Sequence, residues 1–152
     1  LLICTNTMHK VVADIERVID IPVLHLADAT ADRIRAAGMH TVGLLGTAFT
    51  MEEDFYKGRL RERHGLEVIV PEAADRAIIH RVIYEELCQG VVREDSRREY
   101  LRIMAGLREA GAEGIIQGCT EITLLVGPGH TDIPLFDTTA IHAEAAVERA
   151  LD

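Results

Sequence analysis

A cysteine stands where a short apolar segment of the chain gives way to polar residues. Ile115 and Ile116 lie between glycines, which is typical of a buried parallel strand, and Cys119 follows directly. A helix predicted over residues 120–126 would place the thiol at the carboxyl end of a strand and at the positive end of a helix. Both features favour the thiolate, the reactive form of cysteine. A buried packing role is the alternative for a single free cysteine.

A second strand-then-polar stretch lies near the start of the chain. Residues 1–4 are apolar and predict a strand, and Thr5, Asn6 and Thr7 follow as a hydrogen-bonding turn. His9 comes next and could act as an accessory relay or as a structural histidine. The likeness to the Cys119 segment favours an internal duplication, although a Thr-Asn-Thr turn is also ordinary turn chemistry.

Strands and helices alternate along the whole chain. Strands are predicted at 1–4, 21–25, 41–46, 67–70, 115–116 and 133–136, and helices at 10–19, 28–37, 51–64, 73–87, 93–110, 120–126 and 138–151. This rhythm predicts an α/β fold with a largely parallel sheet. Ligands of such folds bind beyond the carboxyl ends of the strands, where Thr47 also lies.

The composition excludes several classes of partner. The net charge of −9, with no run of Lys or Arg, argues against nucleic acid and anionic membranes. No apolar run approaches the ~20 residues of a membrane span. The three cysteines, at positions 4, 88 and 119, fit neither a disulfide framework nor a zinc site. We therefore expect a cytoplasmic protein with free thiols. Because Leu1 opens the chain inside an apolar strand, we also expect further sequence upstream.

Three segments of this sequence occur together in a known superfamily: Thr5-Asn6-Thr7-Met8-His9, Gly43-Leu44-Leu45-Gly46-Thr47 and Gly118-Cys119-Thr120-Glu121. With them the chain resembles the aspartate/glutamate racemase superfamily, and most closely its broad-specificity amino-acid racemase branch. Glutamate-only racemases usually carry histidine where this chain has Glu121, which favours the aspartate type.

The resemblance implies an architecture and a set of partners. It implies two pseudo-symmetric three-layer α/β/α domains, each with a four-stranded parallel sheet, and an active site between them. Residues 27–125 would form the second domain, and residues 1–26 with 126–152 an incomplete first domain. Such enzymes use neither pyridoxal phosphate nor a metal and are often homodimers. The expected partner is a small amino-acid substrate, with no nucleic acid and no membrane.

Racemisation requires a proton to leave one face of the α-carbon and another to arrive on the opposite face. The family uses two cysteines, and here Cys119 fills the second position while Thr5 fills the first. Alternation along a strand predicts that Cys4 and Thr5 cannot both face the cleft. A hydroxyl is a weaker acid than a thiol, so we expect asymmetric catalysis. By the family's usual assignment, the resemblance implies that the L-enantiomer is favoured.

The resemblance also implies substrate-binding residues. Asn6, Thr7, Thr47 and Thr120 would bind the α-carboxylate and the amino group, and Glu121 would orient the amino group or Thr5. Two other functions stay open. The first is a relative with a single working cysteine, such as a decarboxylase or a cis-trans isomerase of a dicarboxylate. The second is a non-catalytic amino-acid-binding module in which Thr5 marks decay of the site.

Overall fold

A computed structural model of the chain describes residues 1–151 and contains one parallel sheet. Its strands are β1 Thr41–Gly46, β2 Glu67–Ile69, β3 Gly114–Gly118 and β4 Leu135–Asp137. The four strands lie in the order β2-β1-β3-β4, and every neighbouring pair is parallel. The predicted α/β class with a four-stranded parallel sheet is confirmed.

Helices cover the two faces of the sheet. They are α1 Val12–Glu16, α2 Leu26–Ala36, α3 Ala48–Glu52, α4 Asp54–His64, α5 Ala73–Glu85, α6 Glu94–Glu109, α7 Ile122–Leu125 and α8 Thr138–Leu151, with 3-10 helices at Thr7–Val11 and Leu87–Gln89. Parallel strands need such cover on both sides because their crossover connections return over the faces. The predicted helix over 51–64 divides at Glu53, whose extended backbone separates α3 from α4.

Neighbouring residues of the central strands enter different cores. Leu44 and Ile116 pack with α2, α4 and α8, whereas Leu45 and Ile115 pack with α5, α6 and α7. All four of these side chains are completely buried. The alternation follows from the period of two along a strand, and it makes the central strands apolar on both faces. The central strands are therefore fixed in position by both cores.

Glycines end both central strands, immediately before residues of the candidate site. Gly46 lies opposite Gly118 in the ladder between β1 and β3. A Cβ atom at Gly118 would lie 2.8 Å from the carbonyl oxygen of Leu45, and one at Gly46 would lie 3.0 Å from the carbonyl oxygen of Gly118. The two backbones can approach this closely only without side chains, so the glycines fix where Thr47 and Cys119 emerge.

Two predicted strands are wrong. Residues 1–4 and 21–25 adopt no regular strand, although they run side by side with hydrogen bonds from Leu1 N to the Pro22 carbonyl (2.8 Å) and from Leu24 N to the Leu1 carbonyl (3.0 Å). Two bonds between short segments do not make a ladder. His25, which we expected to end a strand, is the N-cap of α2.

The division into two domains stays a prediction, but its boundary at residue 126 does not follow the sheet. β4 pairs with β3, with Ile116 opposite Phe136. The parallel sheet of the described residues therefore includes a strand that the prediction assigned to the first domain. The physical reason is that residues 135–137 complete the hydrogen bonding of β3 on the side that β1 leaves open.

Candidate active site

Cys119 emerges from the end of β3 and bonds to a carboxylate two residues later. Its Sγ donates to Oε2 of Glu121 at 2.9 Å, and the thiol is half-buried. The sequence led us to expect Glu121 to orient the substrate or Thr5. In the structure its carboxylate bonds to the Cys119 thiol.

The thiol is held in its neutral form, against the expectation from the sequence. Burial, together with the hydrogen bond and negative charge of Glu121, raises the pKa of Cys119 to about 12. The predicted helix over 120–126 is reduced to α7, which has four residues and no side-chain N-cap bond. So short a helix offers little positive potential, since the dipole effect comes from aligned peptides. The prediction of a favoured thiolate is therefore wrong.

Three threonine hydroxyls meet beyond the end of β1. Oγ1 of Thr7 lies 3.3 Å from Oγ1 of Thr47 and 3.4 Å from Oγ1 of Thr50, and the last two hydroxyls are 3.3 Å apart. Thr47 is also the N-cap of α3, accepting from the Thr50 amide at 3.4 Å. This cluster joins the turn at residues 5–7 to the end of the central strand.

Asn6 is buried and has a free acceptor. Its Nδ2 donates to Oγ1 of Thr138 at 3.1 Å, and that hydroxyl donates to the carbonyl of Gln117 at 2.9 Å. Because the Thr138 hydroxyl proton is used on Gln117, the Asn6 amide must direct its nitrogen towards Thr138. Oδ1 of Asn6 is left buried, with no hydrogen-bond partner among residues 1–151. A buried acceptor of this kind is costly unless a ligand or water satisfies it.

A cavity of about 140 Å³ lies beside these residues. Thr5, Asn6 and Thr120 line it together with Cys4, and Thr120 accepts a hydrogen bond from Oγ1 of Thr139 at 3.2 Å. Cys4 and Thr5 thus border the same cavity, and the strand alternation on which their predicted separation rested is absent. The alternation fails because residues 1–4 form no strand. Cys119 is not among the described residues that line this cavity.

The structure adds residues that sequence reasoning missed. Thr50 belongs to the hydroxyl cluster, and Thr138 and Thr139 connect the end of β4 to Asn6 and Thr120. A signal for Thr50 was its position three residues after Thr47, the spacing of an N-cap contact. A signal for Thr138 was its place close behind the apolar residues 133–136, as Thr5 follows the apolar residues 1–4. Of the described residues, no group of three or more His, Cys, Asp or Glu is arranged to hold a metal.

The fold and the site together define an α/β protein in which a thiol–carboxylate pair and a set of threonines gather at the carboxyl edge of a parallel sheet. The sequence profile of the Asp/Glu/hydantoin racemases matches residues 1–146. The chain belongs to this family. No helix in residues 1–151 has the length and apolar character needed to cross a membrane.

Relatives in the family agree with this assignment. A Yersinia pestis protein provisionally described as an Asp/Glu racemase has a crystal structure that is 55% identical, with a TM-score of 0.95, over 99% of this chain and 66% of that one. An aspartate racemase homologue from Pyrococcus horikoshii OT3 is 36% identical, with a TM-score of 0.89 and the same two coverages. The broad specificity amino-acid racemase RacX of Bacillus subtilis (strain 168) is 24% identical over 96% of this chain and 62% of its own length. The chain thus spans somewhat under two thirds of these relatives.

Proposed function

We propose that this chain carries the acid/base machinery of a cofactor-independent racemase acting on aspartate or glutamate. Cys119 exchanges the α-proton on one face of the substrate, and Thr5 does so on the other. The observation that carries the proposal is the 2.9 Å hydrogen bond from the Cys119 thiol to the Glu121 carboxylate at the open end of β3. A thiol next to a carboxylate acceptor can lose its proton and recover it, as reversible exchange at the α-carbon requires.

The remaining polar groups hold the substrate in this proposal. Oδ1 of Asn6 accepts from the α-ammonium group, which would satisfy an acceptor that is otherwise buried without a partner. The hydroxyls of Thr7, Thr47 and Thr120 donate to the α-carboxylate. Glu121 takes the proton from Cys119 when the thiol must act as a base, a role suggested by its contact in the structure.

The preference for an acidic side chain rests on the relatives. The Pyrococcus homologue is described by its relation to aspartate racemase, whereas RacX is described as broad in specificity. No Lys or Arg of the described residues lines the 140 Å³ cavity, so this cavity offers no cationic side chain that would pair with the side-chain carboxylate of a substrate. Comparing kcat/KM over aspartate, glutamate and neutral amino acids tests this preference, and equal values for acidic and neutral substrates would contradict it.

The first experiment measures saturated initial rates on separated L- and D-enantiomers with the native-length protein. We expect kcat from the L-enantiomer to exceed that from the D-enantiomer by about tenfold or more, since Cys119 is a better base than Thr5. The difference must appear in kcat, because an equilibrium constant of unity forces equal kcat/KM in the two directions. Equal kcat values for the two enantiomers would contradict the asymmetric mechanism.

Substitutions test which residue acts on each face of the substrate α-carbon. Cys119→Ala should lower racemisation by about 10²–10⁴-fold, the usual contribution of a general acid or base. Thr5→Ala should also stop inversion, whereas Cys4→Ser, at a neighbouring position of the same cavity, is the matched control and should retain it. Retained turnover in Cys119→Ala would contradict the proposal. A binding module would instead keep its ligand affinity in Cys119→Ala without any turnover in the parent protein.

Isotope exchange separates the racemase from a single-cysteine relative. At neutral pH the protonated Cys119 thiol would also suit an enzyme that only delivers a proton, such as a decarboxylase. Racemisation in deuterated water places deuterium at the α-carbon of aspartate, whereas a decarboxylase leaves aspartate unlabelled.

Homodimer formation and a cytoplasmic location remain predictions, and light scattering of the purified protein tests the first.

A further inference from the structure

His9 lies buried between the turn that carries Thr5 and the start of α2. Its side chain is 1% exposed, and both ring nitrogens are engaged by backbone groups. Nδ1 lies 2.8 Å from the carbonyl oxygen of Thr5, and Nε2 lies 3.2 Å from the backbone nitrogen of Leu26. The ring also packs on His25, with centroids 4.4 Å apart.

The two contacts define one tautomer. The Leu26 amide can only donate, so Nε2 of His9 must be an unprotonated acceptor, and Nδ1 must carry the hydrogen that is donated to the Thr5 carbonyl. Burial lowers the pKa of His9, and the charge of His142 lowers it further against the opposing effect of the Thr5 carbonyl. His9 is therefore a neutral bridge with no nitrogen left for substrate.

Thr5 depends on this bridge more than its neighbours do. Asn6 is held by Thr138 and Thr7 by Thr47, both through side-chain hydrogen bonds. Thr5 is exposed, lies outside any helix or strand, and is held through its carbonyl by His9. We propose that His9 is a positioning residue that fixes Thr5 at the face opposite Cys119 and so governs whether the substrate inverts. This inference rests on the proposed function.

Loss of the contact between His9 and Thr5 should change which labelled products form. Cys119 first passes its own proton to Glu121, its hydrogen-bond acceptor at 2.9 Å. The thiolate then takes the α-proton from the L-substrate, so the C–H bond breaks and an S–H bond forms, leaving a carbanion. A proton from Thr5 on the opposite face gives the D-product, and the exposed Thr5 then recovers a proton from solvent. Return of a solvent-exchanged deuteron from Cys119 instead gives labelled L-substrate. Displacing Thr5 slows only the first outcome, so exchange with retention should rise relative to inversion.

Two variants remove one arm of the bridge each. In His9→Asn the side-chain amide nitrogen can replace Nδ1 and still donate to the Thr5 carbonyl. In His9→Gln the longer side chain can replace Nε2 and accept from the Leu26 amide, but it places no donor at the position of Nδ1, which faces the Thr5 carbonyl. Both variants lose the imidazole ring, so a purely structural role would affect them alike.

The assay incubates each native-length variant with L-aspartate in deuterated water and follows α-deuteration by proton NMR and inversion by chiral chromatography. We expect the ratio of retained exchange to inversion to rise about tenfold or more in His9→Gln, and to stay within about threefold of the parent in His9→Asn, since small misplacements of a catalytic group are costly. Thermal unfolding of each variant provides the control for folding.

The possible results are distinct. A parent protein that neither exchanges nor inverts L-aspartate or L-glutamate refutes the proposed function itself. An active parent whose ratio is unchanged in His9→Gln, or raised equally in both variants, overturns the role of His9. Nitrogen-15 NMR of the parent gives a test that needs no variant: a His9 protonated at Nε2 would overturn the proposal even if neither variant folds.

Discussion

The environment of Cys119 favours the protonated thiol by raising its pKa. Burial is the largest cause, and the Glu121 carboxylate adds a hydrogen bond and a negative charge. A thiol with so high a pKa is present as thiolate in only a small fraction at neutral pH. The proposed role of Cys119 as a base therefore requires that substrate binding help to move the proton. The same carboxylate that raises the pKa is also the nearest acceptor for that proton, at 2.9 Å from Sγ.

Replacing Glu121 tests whether its carboxylate raises the pKa of Cys119. In Glu121→Gln the thiol can still donate to an amide oxygen, but the negative charge is gone, so the pKa of Cys119 should fall by about one unit or more. The measurement is the pH dependence of alkylation at Cys119 by iodoacetamide, resolved by peptide mass spectrometry. Glu109→Gln, at the exposed end of α6, is the control and should leave the midpoint unchanged. An unshifted midpoint in Glu121→Gln would show that burial alone sets the pKa.

At the scale of elements, the ends of β1 and β3 place the site. The register pairs Gly46 with Gly118, so Thr47 and Cys119 emerge from adjacent strands at the same edge. Each strand is held by both cores, and each ends in a glycine that a neighbouring backbone approaches closely. Precision at the site therefore comes from the central strands and not from the loops that follow them.

Gly118→Ala should destabilise the edge of the sheet where β1 and β3 end. The added Cβ would lie 2.8 Å from the backbone oxygen of Leu45, so the strands must separate, at a cost of about 1–3 kcal/mol in the free energy of unfolding. The proposed racemisation should fall as Cys119 moves. Gly106→Ala is the matched control because its Cβ meets nothing within 4 Å in helix α6, and it should stabilise by about 0.5–1 kcal/mol. Urea unfolding measures both, and equal stability of the two variants would refute the steric argument.

Across the whole molecule, buried titratable groups around α2 make stability depend on pH. Burial, with the positive charge of Arg59, lowers the pKa of His25 to about 3. Burial opposes the ionisation of Asp28, but hydrogen bonds from Arg59 and His64 prevail and lower the pKa of Asp28 to about 2. Both groups bind a proton more readily in the unfolded chain than in the folded one, so both make the fold less stable as pH falls.

The pH range over which the fold loses stability differs between His25 and Asp28. His25 begins to cost stability below its unfolded pKa of about 6.5, and Asp28 begins to do so below about 4. One proton corresponds to a slope of about 1.4 kcal/mol per pH unit, so urea unfolding between pH 8 and 5 should show stability falling through the histidine window.

His25→Asn should make this decline shallower. Asparagine is a good N-cap and can keep the acceptor for the Ala27 amide that His25 now supplies from Nδ1 at 3.2 Å, but it does not titrate. The slope between pH 6.5 and 5 should fall by about 1 kcal/mol per unit relative to the parent. His40→Asn, at an exposed position before β1, serves as the control. An identical slope in His25→Asn would assign the pH dependence to other groups.

The amino-acid sequence by itself determined the α/β class, the exact span of β1, and the position of Cys119 and Thr47 after apolar segments. These follow from hydrophobic patterning and glycine placement, which are local. Only the tertiary structure decided that Glu121 bonds to the Cys119 thiol, that Asn6 is oriented by Thr138, and that Thr7 meets Thr50. It also decided that β4 joins β3 and that residues 1–4 form no strand. Strand pairing, burial and the pKa of a thiol depend on groups distant along the chain, so no local pattern could supply them.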